Sequence, residues 1–108
     1  MEIDSKKYPL PKRLRHHTTP NLYIPWDELK KKPDYYPPLL KDLDVRSVFK
    51  NGKYPDVLDI GCGKGKLLFD HSEMYPGKNI LGIEVRLIAV EWLNTVIEGE
   101  NRPKAAAI

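Results

Sequence analysis

Two carboxylates and three glycines carry the chemistry legible in this chain. Asp59 stands two residues before Gly61, Gly63 and Gly65, which follow one another at alternate positions. Glu84 comes 25 residues after Asp59 and 19 after Gly65. Glycine permits positive φ and has no Cβ, so a ligand can approach its backbone closely. A carboxylate at the distance of Glu84 can accept both hydroxyls of a ribose, and its spacing is close to the ~20 residues expected of a nucleoside-binding unit. A dinucleotide fingerprint, G-x-G-x-x-G, would need its third glycine at position 66, which is Lys66. A pyrophosphate is also repelled by an acid such as Asp59, whereas an amino group beside a sulfonium is attracted. Asp-x-Gly-x-Gly-x-Gly therefore favours S-adenosylmethionine over a nicotinamide dinucleotide.

The elements that must position these residues form a β-α-β unit. Val57, Leu58 and Ile60 make a short apolar run bounded by Pro55 and Gly61, which predicts a buried parallel strand. Leu67, Leu68, His71 and Met74 are spaced like one face of a helix, and Pro76-Gly77 stops it. Asn79 to Val85 is a second apolar strand with Glu84 near its end. A second helix is expected over 86–98. Its apolar stripe is at 89, 90, 93, 96 and 97, and Gly99 is its C′ residue. Ala105 to Ile108 reads as the opening of a third strand. Before the unit, Leu39, Leu40, Leu43 and Val48 suggest a helix that covers the sheet, and Asn51-Gly52 is a turn.

Asp59-Ile60-Gly61-Cys62-Gly63-Lys64-Gly65 followed by Leu81-Gly82-Ile83-Glu84-Val85-Arg86 resembles the tRNA (guanine-N7)-methyltransferases. Many methyltransferases share the first motif, while Gly-Ile-Glu-Val-Arg is more specific to this family. The close resemblance covers roughly residues 55–98. The amino-terminal half matches only loosely, through Arg13-Leu14-Arg15-His16-His17, Asn21 and Trp26-Asp27-Glu28-Leu29. The resemblance implies an α/β, Rossmann-like class I methyltransferase fold, truncated here after about the third strand. It also implies methyl transfer from S-adenosylmethionine to N7 of a guanine in tRNA. Asp59 would meet the methionine amino group, and Gly61, Gly63 and Gly65 would let the loop pass close to methionine and ribose. Glu84 would hold the ribose hydroxyls. Arg86 would lie beside the adenine or fix Glu84, the alternative being an ordinary helix-start cation. The family's Asp-Pro-Trp or Asp-Pro-His motif has no counterpart in this sequence, so the catalytic residues are expected beyond Ile108 and none is named.

At 108 residues the chain is one domain at most. Its net charge of +3 is uneven: residues 1–54 hold twelve Lys/Arg and seven Asp/Glu, and residues 55–108 hold six and eight. A basic first half suits a polyanion. Residues 1–37 read as a proline-rich basic arm with a short helix, Trp26 to Lys32, ended by Pro33. Residues 38–108 read as the first part of the cofactor-binding domain. The resemblance suggests that the arm helps to hold tRNA. Its aromatics, Tyr8 and Tyr23, either stack on bases or pin the arm to the domain. His16-His17 has no acid or cysteine in a ligand pattern and is read as polar rather than metal-binding. Cys62, the single cysteine, excludes an internal disulfide and is expected to pack behind the loop. No stretch has a signal peptide's apolar core or the length of a membrane span, so the expected compartment is the cytoplasm. Two other classes fit parts of the pattern: an RNA-binding remnant without catalysis, and an NAD-dependent oxidoreductase fragment.

Overall fold

A computed structural model describes residues 1–12, 14, 38 and 40–108. The regular elements run β1 (Val57–Ile60), α1 (Lys66–Met74), β2 (Ile80–Ile83), α2 (Leu87–Gly99) and β3 (Ala105–Ala107). The three strands form one parallel sheet in the order β1-β2-β3. The expected α/β class is observed, with the architecture of a Rossmann-like β-α-β unit. Each crossover helix is amphipathic and lies on the sheet, as a parallel connection requires.

Both helices cover the same face. Leu68 and Phe69 of α1 and Val90, Leu93, Val96 and Ile97 of α2 share one core with Ile80, Ala105 and Ala107. The α2 stripe is the one expected from the sequence. The α1 stripe is only partly so: Leu68 is buried as expected, but Phe69 and Ser72 are buried with it, whereas Leu67 and Met74 are exposed. Phe69 is the larger side chain and is fully enclosed, so packing turns the helix toward it and away from Leu67.

Among the described residues, the opposite face is thinly covered. Phe49 packs on Leu81 and Ala106, with Val45 and Val48 beside it. Instead of the expected helix, this region forms short 3-10 turns at Leu40–Asp42 and Val45–Val48. Asp44 accepts from the Arg46 N–H, a local side-chain bond that offers the backbone an alternative to α-helix. The Asn51-Gly52 turn is present, with Gly52 at φ 64°.

β1 is parallel but not buried. It is an edge strand, and Leu58 and Ile60 point to the face opposite α1 and α2, where they are 47% and 77% exposed. The outer edge of β3 is closed at one residue. Asn94 on α2 donates to the Ala107 carbonyl (3.0 Å) and accepts from the Ala107 N–H (3.2 Å). The α2 terminus also differs from expectation. Gly99 is the last helical residue, and Asn101 takes the left-handed conformation at φ 50°. Any side chain on Gly99 would collide with Tyr8, so this glycine serves packing and not the cap.

Tyr8 pins the chain's beginning to the domain. It is buried, its hydroxyl donates to Glu100 (3.1 Å), and its carbonyl accepts from the Trp92 indole. Of the two roles open to Tyr8, the structure therefore shows the anchoring contact. Arg13, Arg15, His16, His17, Asn21, Tyr23, Leu39 and the Trp26–Lys32 segment lie outside the described residues.

Candidate cofactor-binding site

The site lies where β1 and β2 end. Asp59 pairs in register with Gly82, and Ile60 with Ile83. The chain then turns sharply: Gly61 and Cys62 both donate their N–H to the Ile83 carbonyl (2.7 and 3.1 Å), and Gly65 donates to the Cys62 carbonyl (2.8 Å). Gly61, Gly63 and Gly65 adopt φ of 76°, 56° and 79°. Each is in the region that costs an L-residue about 1–2 kcal/mol, which is why glycine stands at all three.

The glycines differ in their surroundings. A Cβ on Gly61 would meet nothing within 4 Å, so its open side is available to a ligand. A Cβ on Gly65 would lie 2.5 Å from Leu93 and 2.9 Å from Phe69, so Gly65 lets α1 start directly against the core. Gly65 is also the N-cap of α1 and offers no side chain, which leaves first-turn N–H groups uncapped by the protein.

Glu84 follows β2, and its backbone N–H donates to the Ile108 carbonyl (2.9 Å), which extends the ladder with β3 past its last strand residue. The side chain is buried at 6% exposure. Its Oε2 accepts from the Gly63 N–H at 2.9 Å, so the carboxylate reaches across to the glycine loop. Arg86 supplies the other contacts: its N–H and Nε donate to Oε1 and its Nη2 to Oε2, all at 3.1 Å. Burial by itself would raise the pKa of Glu84. The Arg86 guanidinium, with the Arg86 and Gly63 N–H groups, outweighs it and holds the carboxyl below its ordinary range.

Asp59 is the counterpart with an unpartnered oxygen. Its Oδ2 is buried and makes no hydrogen bond, and burial pushes its pKa upward. Nη1 of Arg86 is likewise buried and unpartnered. An orphaned acceptor and an orphaned donor beside an open glycine loop are what a ligand with an amino group and further acceptor atoms would satisfy. The residues thus fit the cofactor that the sequence suggests.

Cys62 is buried, and its thiol is pushed up to about 12, first by burial and then by the nearby Asp59 and Glu84 charges. A thiol held so far from its thiolate is a packing group, as expected. It fills the space left by Gly82, whose Cβ would lie 2.8 Å from the Cys62 sulfur. Gly82 opens the Gly-Ile-Glu-Val-Arg motif, and a glycine inside a strand signals close approach of another group. Lys66, beside the loop, pairs with Asp70 at 2.8 Å. Among the described residues, no helix is long and apolar enough to cross a membrane.

Comparison with known proteins agrees with this geometry. A family described as "Putative methyltransferase" matches residues 53–104, which include both strand ends and the loop. The tRNA (guanine-N(7)-)-methyltransferase of Buchnera aphidicola is 50% identical over 46 residues, covering 43% of this chain and 19% of that protein. The Caenorhabditis elegans protein of the same name is 34% identical over 59 residues, covering 55% and 23%. The Xenopus tropicalis tRNA (guanine-N(7)-)-methyltransferase A is 34% identical over 74 residues, covering 61% and 26%. The chain thus spans about a fifth to a quarter of the length of these curated relatives. These matches show the resemblance to the tRNA (guanine-N7)-methyltransferases over part of the chain.

Proposed function

We propose that this chain is the S-adenosylmethionine-binding part of a methyltransferase that forms N7-methylguanosine in tRNA. One observation carries the cofactor assignment. A buried carboxylate, Glu84, closes on the glycine loop through the Gly63 N–H, while Asp59 stands unpartnered at the neighbouring strand end. Glu84 holds the ribose hydroxyls, and Asp59 takes the methionine amino group. Gly61 leaves the loop open for the methionine chain, and the Arg86 guanidinium orients Glu84 in the ligand-free chain. The tRNA substrate and the N7 position rest on the relatives' names and on the basic first half of the chain. The 1–37 region is assigned to tRNA contact on the same grounds, and the compartment to the cytoplasm because no stretch of the sequence has a signal peptide's apolar core.

The cofactor supplies an electrophilic methyl group on a sulfonium. The chain's task is to hold that group in line with the acceptor nitrogen, and alignment of this kind accounts for much of the rate of such a displacement. N7 of neutral guanine carries no proton, so none of these residues has to act as a base in the attack. None is assigned to the guanine itself.

Calorimetric titration with S-adenosylhomocysteine and with NADH tests the assignment. One equivalent of S-adenosylhomocysteine should bind, and binding should be lost in Glu84→Ala. Tighter binding of NADH would sink the reading. Salt-sensitive tRNA binding with no cofactor binding would make the chain an RNA-binding remnant.

A further inference from the structure

We propose that the Arg86 guanidinium is an exchangeable occupant of Glu84, which a vicinal diol must displace, so that Arg86 determines which ligands this carboxylate accepts. The inference rests on Glu84 as the ribose-holding residue. It follows from counting. A carboxylate offers about four lone-pair directions. Oε1 receives the Arg86 N–H and Nε, and Oε2 receives the Gly63 N–H and Arg86 Nη2. All four are taken, and no direction remains for two hydroxyls.

The four donors are not equally movable. Gly63 is fixed by the loop, whose neighbouring N–H groups are tied to the Ile83 carbonyl. The Arg86 backbone is fixed by the start of α2, where Ala89 and Val90 donate to its carbonyl (3.0 and 3.1 Å). Only the guanidinium hangs on rotatable bonds. A diol therefore reaches Glu84 by replacing Nε and Nη2 and leaving the two backbone donors in place.

This exchange selects by chemistry. Two O–H groups replace two N–H groups one for one, so the buried carboxylate stays fully bonded. A single hydroxyl replaces half of the fork and strands the other half. An anion cannot replace it at all, since it brings no donor and is repelled. The guanidinium also lies over the loop, with Nη2 3.9 Å from the Cβ position of Gly63, and its Nη1 is buried without a partner. Once displaced, it has donors free for the acceptor atoms of the ligand that displaced it.

The test uses the full chain with adenosine and 2′,3′-dideoxyadenosine as probes, in mildly alkaline buffer that keeps Glu84 ionised. In 15N-labelled protein the Arg86 Nε–H resonance should be protected from exchange. Adenosine should abolish that protection, and the dideoxy compound should leave it intact. Arg86→Met should bind adenosine more tightly and widen the preference for adenosine over the dideoxy compound by about tenfold, the size of one charge-assisted hydrogen bond. Arg86→Lys keeps the charge without the fork, should fall between, and secures the comparison if the Met variant does not fold. Persistence of the protected Nε–H in the adenosine complex would overturn the proposal. So would variants that bind adenosine no better with the preference unchanged. If the wild-type chain binds neither adenosine nor S-adenosylhomocysteine, the ribose assignment of Glu84 fails first and the exchange fails with it.

Discussion

Asp59 and Glu84 are the same functional group at the ends of neighbouring parallel strands, yet their surroundings drive them in opposite directions. Asp59 ends the edge strand, has a buried oxygen without a partner, and is harder to ionise than a free aspartate. Glu84 ends the central strand, collects four donors, and is easier to ionise despite deeper burial. The difference comes from position in the sheet. At the end of a central strand, a loop from one neighbour and a helix start converge, and both bring N–H groups. At the end of an edge strand only one side is furnished. A ligand amine supplies what Asp59 lacks, whereas at Glu84 a ligand has to compete.

The largest effect should come from breaking the furnished end. Glu84→Gln removes the charge that compensates a largely buried guanidinium, and should cost about 3 kcal/mol of stability. It should also abolish S-adenosylhomocysteine binding. Urea denaturation checks the first part, and a loss below about 0.5 kcal/mol, ordinary for a surface change, would mean that the Glu84–Arg86 pair is not energetically buried. Next is Gly65→Ala, where left-handed backbone and overpacking against Leu93 and Phe69 should together cost about 2–3 kcal/mol. Gly61→Ala has the same backbone strain with open space around it, so about 1 kcal/mol is expected. Equal losses in the two glycine variants would show that packing beneath the loop does not separate its two ends.

Acid should separate the two carboxylates. The stability from Glu84 is fully present above its ordinary value of 4.5 and is lost only as pH falls through its lower folded value. Asp59 has the opposite sign and takes up its proton above the ordinary 3.8. Falling pH should therefore weaken S-adenosylhomocysteine binding before it unfolds the chain, as calorimetry and circular dichroism over one pH series would show. Coincident transitions would contradict the assigned environments. The smallest structural effect belongs to Asp59→Asn. Removing a charge that burial already disfavours should change stability by less than about 0.5 kcal/mol. It should nonetheless weaken S-adenosylhomocysteine about tenfold or more, the size of one hydrogen bond to a charged group.

Much of this arrangement was readable along the chain because it is local. Glycines at alternate positions announced the three left-handed residues, and the α2 stripe announced its buried face. Contacts between distant residues were not readable. The α1 stripe read from the sequence, Leu67, Leu68, His71 and Met74, includes the buried Leu68 but misses Phe69 and Ser72, because periodicity cannot tell how far a helix is rotated toward the core. Tyr8 could be read as a base-stacking or an anchoring residue, but its partners Glu100 and Trp92, more than eighty residues away in sequence, could not be named. Asn94 looked like an ordinary helix residue and closes the edge of β3.

The sequence by itself determined the β-α-β unit, the turn that only glycine can make, and the presence of one acid at each strand end. Those properties depend on backbone conformation and on spacing along a few residues. The tertiary structure decided which acid would be bare and which saturated. That depends on strand order, which places β2 between two neighbours and β1 at an edge, and on the approach of Arg86 and Gly63 to one carboxylate from separate segments. Charge balance at a buried group is the sum of everything packed around it, and spacing in the chain does not contain that sum.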